Sequence, residues 1–365
     1  MSFVIGGLGT ALPGHRVEQP RAAELTSRVS GHDPAQARRL AALYRRSGVK
    51  SRHVALLDRL DPTAPAGDAE PAGPTTRARM DHYEASVGPL ALAAAGRALA
   101  ASGLDGRAIT HLVTVSCTGF HAPGFDLALM EGLDLDRGVA RTHVGFMGCH
   151  GALNGLRVAR AFGVAEPSAR VLVCAAELCS LHFRYGWDAD QAVSNALFGD
   201  GAAAVVGFGD GAGRIAREHP DRWRLAASGS ALMPATGDAM SWRIGDNGFS
   251  MTLSPQVAGH IADHLRPWLE PWLRRHDLTI ADVGSWAVHP GGPRILDAVE
   301  SALGLWPDAL ATSRSVLARC GNMSSPTVLF ILDELQRAGA PLPCVALGFG
   351  PGLVIEAALF APGRS

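Results

Sequence analysis

The chain has 365 residues, 47% hydrophobic and 18% charged, with a net charge of −1. That length suits two domains or two fused halves of one fold. The charge leaves no electrostatic footprint for nucleic acid, and no apolar stretch reaches the roughly 20 residues of a membrane span. The N-terminus lacks the basic region of a signal peptide, so a cytoplasmic location is the default expectation. Lys50 is the only lysine, a skew that carries no functional weight. The six cysteines form no C-x-x-C pair and no zinc-like spacing, so reduced thiols and no metal are expected.

Taken in chain order, Met1–Gly9 reads as a first buried strand. Asp61–Thr75, rich in Pro, Ala, Gly and Asp, reads as an exposed loop. A helical pattern over Tyr83–Ser102 precedes strands at Leu112–Cys117 and His143–Met147. Helix Gly151–Phe162 follows, then strands Arg170–Ala176 and Ala202–Phe208. The second half alternates similarly: helix Gln256–His276, strand Ser285–His289, helices Pro293–Leu303 and Ser325–Ala338, strands Cys344–Phe349 and Leu353–Phe360. Several strands are continuous apolar runs, as expected when both faces are covered. The pattern predicts layered α/β architecture in two loosely similar halves, 1–208 and 209–365.

Three residues stand out for chemistry. Cys149 lies where an apolar run meets a helical pattern, close to the unpaired N–H groups of a helix start. That setting favours thiolate, the attacking form of sulfur. His289 ends a strand abruptly at Pro290-Gly-Gly-Pro, and ligands gather at that end of open α/β sheets. Asn322, in Cys320-Gly-Asn-Met-Ser-Ser-Pro, reads either as an ordinary helix cap or as an amide donor. Together, a thiol and two neutral N–H donors suit acyl transfer through a thioester oxyanion. A neighbouring imidazolium would lower the thiol's pKa further. Cysteine proteases also combine these residue types, so the trio alone does not choose the reaction.

The surrounding motifs are more specific. Gly148-Cys149, His289-Pro-Gly-Gly-Pro, Gly321-Asn322-Met-Ser-Ser, Ala196-Leu-Phe-Gly-Asp-Gly-Ala-Ala-Ala and Gly348-Phe-Gly-Pro-Gly-Leu occur in order from Val4 to Phe360. The chain thereby resembles the type III polyketide synthases, the chalcone synthase-like branch of the thiolase superfamily. Val115-Ser-Cys-Thr-Gly and Glu177-Leu-Cys-Ser-Leu-His-Phe lean toward its bacterial members.

The resemblance implies a thiolase-like αβαβα fold and iterative decarboxylative condensation. Cys149 would accept an acyl starter from CoA, with His289 and Asn322 decarboxylating malonyl-CoA and holding the enolate. A pyrone, resorcinol or similar aromatic product would follow, with no cofactor. Phe198 aligns with an aromatic gatekeeper, and Met251 falls where chalcone synthase has a second aromatic, with Phe249 two residues away. Cys117, His182 and Ser324 align with cavity positions, His182 either bonding the polyketide or serving structure. Arg39 and Arg46 align with CoA-phosphate contacts, whereas a third such position is Ala42, so a carrier protein stands as an alternative acyl donor. A homodimer is implied, with Ala122 making only a small cross-subunit contact. The nearest competing reading is a ketoacyl synthase III-like enzyme performing one condensation. A non-catalytic binding protein is disfavoured by the intact trio, and a protease by the motifs around His289 and Asn322.

Overall fold

The computed structural model describes residues 3–55, 72–209 and 222–362. Strand β1 (Phe3–Ala11) is buried along almost its whole length, as its apolar sequence predicts. Strand β2 (His15–Glu18) leads through helices α1 (Gln19–Val29) and α2 (Pro34–Arg46) to β3 (Ser51–Val54), with which it pairs. A capping box starts α2: Gln36 N donates to Asp33 Oδ1 at 2.8 Å, and Asp33 N to Gln36 Oε1 at 3.0 Å. Then come α3 (Thr76–Ser102), β4 (His111–Ser116), α4 (Phe125–Gly132), β5 (Ala140–Gly145), α5 (Gly151–Ala165), β6 (Arg170–Leu178), α6 (Ala189–Leu197) and β7 (Asp200–Gly209). The second half holds β8 (Arg224–Leu232), β9 (Met240–Gly245), β10 (Gly248–Leu253), α7 (Val257–Arg274), β11 (Ser285–Val288), α8 (Pro293–Leu303), α9 (Ala311–Cys320), α10 (Thr327–Arg337), β12 (Cys344–Gly350) and β13 (Val354–Ala361).

Nine strands join in the order β11-β12-β13-β8-β1-β7-β6-β4-β5. The link between β8 and β1 pairs Phe3 with Leu225 and Val4 with Arg224, and Ile5 N donates to Trp223 O at 2.9 Å, a narrow seam between two blocks. The blocks share one topology. In the first, β1–β7 and β7–β6 are antiparallel and β6–β4 is parallel. In the second, β8–β13 and β13–β12 are antiparallel and β12–β11 is parallel. The loose likeness of the halves in sequence is thus a likeness of strand order.

Period-two alternation sends each strand's side chains into two different cores. From β6, Val171, Val173 and Ala175 enter a central core with Leu153 and Leu156 of α5 and Val328 and Leu329 of α10. Leu172, Cys174 and Ala176 face the other way, onto Ala91, Ala94 and Ala98 of α3. Strand β12 repeats the scheme, Cys344 and Ala346 turning inward. Its Val345 and Leu347 turn outward onto Leu265 of α7 and Val299 of α8. The result is the helix–sheet–helix–sheet–helix layering of a thiolase-like fold, with α5 and α10 as the sandwiched middle layer.

The differences from the sequence reading lie at boundaries and in polar segments. Helix α3 starts at Thr76 because Thr75 caps it, accepting from Ala78 N at 3.3 Å. Strand β5 is Ala140–Gly145 rather than 143–147, since Phe146 turns to a left-handed φ of 55°. The predicted loop at Asp61–Thr75 falls on residues outside the described ones as far as position 71.

Candidate active site

Cys149 sits in a short turn, Gly148–His150, between β5 and α5. Gly148 has a φ of 74°, and a Cβ there would stand 2.3 Å from Pro351 Cδ, so only glycine fits. Cys117, at the end of β4, ties the turn down by accepting from Gly148 N at 3.0 Å. Its sulfur is engaged in the backbone of the turn that carries Cys149.

Asn322 and Ser324 approach from the segment ahead of α10. The backbone of Asn322 bridges Phe198: Asn322 N donates to Leu197 O at 2.8 Å, and Gly199 N to Asn322 O at 3.0 Å. Helix α10 begins beyond Pro326, so Asn322 does not cap it. Instead its Oδ1 accepts from Ser324 N at 2.8 Å, which turns the NH₂ the opposite way. That amide and the Ser324 hydroxyl both act to lower the pKa of the Cys149 thiol. Ser324 is held at a left-handed φ of 58°, an uncommon conformation for a residue with a side chain.

His289 follows β11 and is 1% exposed. Its N donates to Leu347 O at 2.8 Å, and neither ring nitrogen meets a hydrogen-bond partner among the described residues. Burial and the neighbouring His150 hold its pKa down to about 3, so the imidazole is neutral. Burial pushes the Cys149 thiol up to about 11, with Ser324 pulling it down, Glu177 adding to the rise and Asn322 also opposing it. Burial thus works against the expected thiolate. The turn sets Cys149 just outside α5, and His289 is held neutral.

The chamber at Cys149 has a volume of about 40 Å³ and is walled by Cys117, Cys179, Phe198, Trp242, Met251, Ser324 and Pro351, among others. A second chamber of about 60 Å³ shares Cys179, Phe198, Trp242 and Met251 and runs on to Val17, Tyr44 and Val54 under α1 and α2. Phe198 and Met251 therefore form the partition between the two. Phe249 lies behind, stacked on His182 with centroids 3.9 Å apart. His182 lines only the second chamber. Its Nε2 donates to Thr118 O at 2.6 Å and its Nδ1 accepts from Phe249 N at 3.1 Å. Of the two roles weighed for His182, the polyketide-bonding one is overturned. Both nitrogens are consumed by backbone, and the residue pins β10 to the end of β4.

Sequence reasoning missed several participants. Glu177, fully buried, accepts from Cys117 N at 2.9 Å, Thr118 Oγ1 at 2.6 Å and Ser325 Oγ at 2.5 Å. It joins the Cys117 segment of one half to the Asn322–Ser325 segment of the other. Trp242 donates from Nε1 to Cys117 O at 2.8 Å, closing a chamber wall. Neither role leaves a local signature, because each depends on partners far away in sequence.

A wider cleft of about 540 Å³ opens beside this centre. Arg39 and Arg46 line it from one face of α2, with Ala42 between them, opposite Gly292 and Arg294 at the start of α8. Leu197, next to Phe198, is part of its lining. Arg294 adds a cation that the sequence reading left out; the only cue was a basic residue just after the His289-Pro-Gly-Gly-Pro run. Among the described residues no cluster of His, Cys, Asp or Glu is placed to hold a metal ion, and no helix is long and apolar enough to cross a membrane.

Comparison with known proteins agrees with this geometry. Residues 2–211 match the family model for chalcone and stilbene synthases, N-terminal domain, and residues 224–362 match the C-terminal one. The alpha-pyrone synthesis polyketide synthase-like Pks18 of Mycobacterium tuberculosis is 35% identical over 98% of this chain and 90% of its own length. The 1,3,6,8-tetrahydroxynaphthalene synthase of Streptomyces peucetius subsp. caesius is 35% identical over 96% of this chain and 91% of its own. The crystal structure of PKS-I from the brown alga Ectocarpus siliculosus superposes with a TM-score of 0.92 at 32% identity, covering 99% of this chain and 98% of that one. The chain belongs to the chalcone and stilbene synthase family and is a type III polyketide synthase, an acyltransferase that builds its product by decarboxylative condensation.

Proposed function

We propose that Cys149, His289 and Asn322 are the catalytic residues, drawn from the halves 1–208 and 209–365, and that the enzyme extends a short acyl starter with malonyl-CoA. The observation that carries the assignment is the Asn322 side chain. With Oδ1 held by Ser324 N, its NH₂ is left to act on the Cys149 thiol, whose pKa it lowers, while His289 is neutral. The Cys149 thiol passes its proton to His289 as sulfur attacks the starter thioester, and the proton leaves with CoA. Malonyl-CoA then enters with its thioester oxygen toward the Asn322 amide. Loss of CO₂ leaves a carbanion, stabilised as an enolate by that donor, which attacks the acyl group on Cys149. No prosthetic group takes part. Arg39, Arg46 and Arg294 would hold the CoA phosphates, which suits guanidinium forks and favours CoA over a carrier protein as donor.

The starter follows from the walls. The Cys149 chamber ends at Phe198 and Met251, and the space beyond is small and partly lined by polar groups such as Arg52 and Asn195. A short starter or malonyl alone fits, with the growing chain folded and released as a pyrone or small aromatic ring. A homodimer is supported by β5, an edge strand of the sheet, and by Phe120 and Phe146, 48% and 46% exposed beside it.

The test is incubation with malonyl-CoA and acyl-CoA starters of about two to sixteen carbons, a pocket discriminating by up to ~100-fold per methylene. The expected product is a cyclised, several-times-extended chain, made fastest from the shortest starters. Preference for the longest starters would overturn the starter assignment. A lone β-ketoacyl thioester would instead point to the single-condensation reaction.

A further inference from the structure

His150 follows the nucleophile directly, yet it is 1% exposed. Its Nδ1 lies 2.7 Å from Asn154 Oδ1, one turn along α5. An amide oxygen only accepts, so Nδ1 carries the hydrogen and Nε2 keeps its lone pair. That Nε2 meets no hydrogen-bond partner among the described residues. Strand β12 makes room for the ring. A Cβ at Gly350 would stand 2.5 Å from His150 Nε2, and one at Gly348 would stand 3.0 Å from His150 Cβ. The imidazole therefore lies against the inner face of β12.

His289 reaches the same place from β11, the parallel neighbour of β12. Val288 pairs with Leu347, and both point into the outer core. By alternation the next residues, His289 and Gly348, turn inward. His150 covers Gly348, so the two imidazoles share one inner surface on adjacent strands. Both nitrogens of His289 are without hydrogen-bond partners among the described residues, and His150 is the charged-state neighbour it feels. Arg157 faces His150 from α5 and is itself paired with Glu356.

We propose that His150 is a positioning residue for His289. Its Nε2 lone pair accepts the hydrogen on one His289 ring nitrogen through one bridging water. The other His289 nitrogen is thereby left bare, ready to take the thiol proton of Cys149 during starter loading. Asn154 completes the device by fixing the tautomer of His150. The inference rests on His289 acting as the base for Cys149.

The experiment is two-bond ¹H–¹⁵N correlation on enzyme labelled at histidine, together with the rate of Cys149 acylation by a starter acyl-CoA. In the wild type, His289 should be one neutral tautomer and His150 should carry its hydrogen on Nδ1. In His150→Phe the His289 signals should show mixed tautomers, and acylation should slow by ~10-fold. His150→Gln, which restores an acceptor, should recover most of that loss. Unchanged His289 signals in His150→Phe, or equal slowing in the Phe and Gln variants, would overturn the proposal. If the variants fail to fold, the wild-type spectrum decides: a hydrogen on His150 Nε2, or mixed His289 tautomers, overturns it. Failure of the underlying reading is distinguishable, because acylation would then proceed undiminished in His289→Ala.

Discussion

The segment ahead of α5 and the segment ahead of α10 occupy equivalent places in their halves. Each sandwiched helix follows a parallel strand pathway and leads into the matching strand, β6 or β12. Yet one segment presents a sulfur and the other presents hydrogen-bond donors. A repeated scaffold places two helix starts in matching positions, and the proposed division of labour between attack and charge stabilisation follows from the divergence of their side chains. The halves differ in their buried carboxylates as well. The first half buries Glu177 and Asp200 among hydroxyl and N–H donors, whereas Glu356 of the second is paired with Arg157.

The largest expected effect tests that division. Cys149→Ala should abolish acyl-enzyme formation, a loss of at least ~10³-fold, while malonyl-CoA decarboxylation persists. Asn322→Ala should do the reverse, retaining loading by mass spectrometry but slowing decarboxylation by ~10²–10³-fold. Equal damage to both reactions in both variants would erase the proposed asymmetry.

The carboxylates provide the next contrast. Asp200 accepts from Ser180 N and Ala55 N, both at 2.7 Å, but burial raises its pKa to about 6. Its unfolded pKa is about 4, so the native state binds the proton more tightly. That contribution to stability is complete below about pH 4 and is lost as pH rises through about 6, a change of about 3 kcal/mol. Chemical denaturation of Asp200→Asn across this range should lack that slope; an identical slope would remove Asp200 from the account.

Smaller effects probe the cleft and the sulfur. Replacing Arg39 and Arg46 together by Ala should raise KM for malonyl-CoA by ~10-fold with little change in kcat, since phosphate contacts bind ground and transition states alike. A fall in kcat alone would relocate CoA. Ser324→Ala should shift the pH midpoint of Cys149 alkylation by iodoacetamide upward, because one donor to the sulfur is lost. No shift would show that Asn322 alone holds the thiol.

Cys149, His289 and Asn322, the proposed catalytic residues, stood out in the sequence because each sits beside glycines that mark a turn. The alternating strands were legible because buried faces leave a period in the sequence. What escaped was set by distant partners. Glu177 is an unremarkable strand residue until Ser325 meets it, and the sequence leaves His182 open between two roles until Thr118 O and Phe249 N claim its ring. The burial that opposes thiolate at Cys149 escaped for the same reason. A helix start is local, but the burial that outweighs it is made by the whole fold.

The bridge between Phe198 and Asn322 has a consequence for how this enzyme can diversify. The partition between the chambers and the amide proposed to steady the enolate share one pair of backbone hydrogen bonds. A change that shifts the main chain at 198 to widen passage also re-aims the amide at 322. Admission and turnover are geared together, so broader starter tolerance achieved by moving that strand should bring slower extension, whereas trimming Met251 should widen the passage without disturbing the gear.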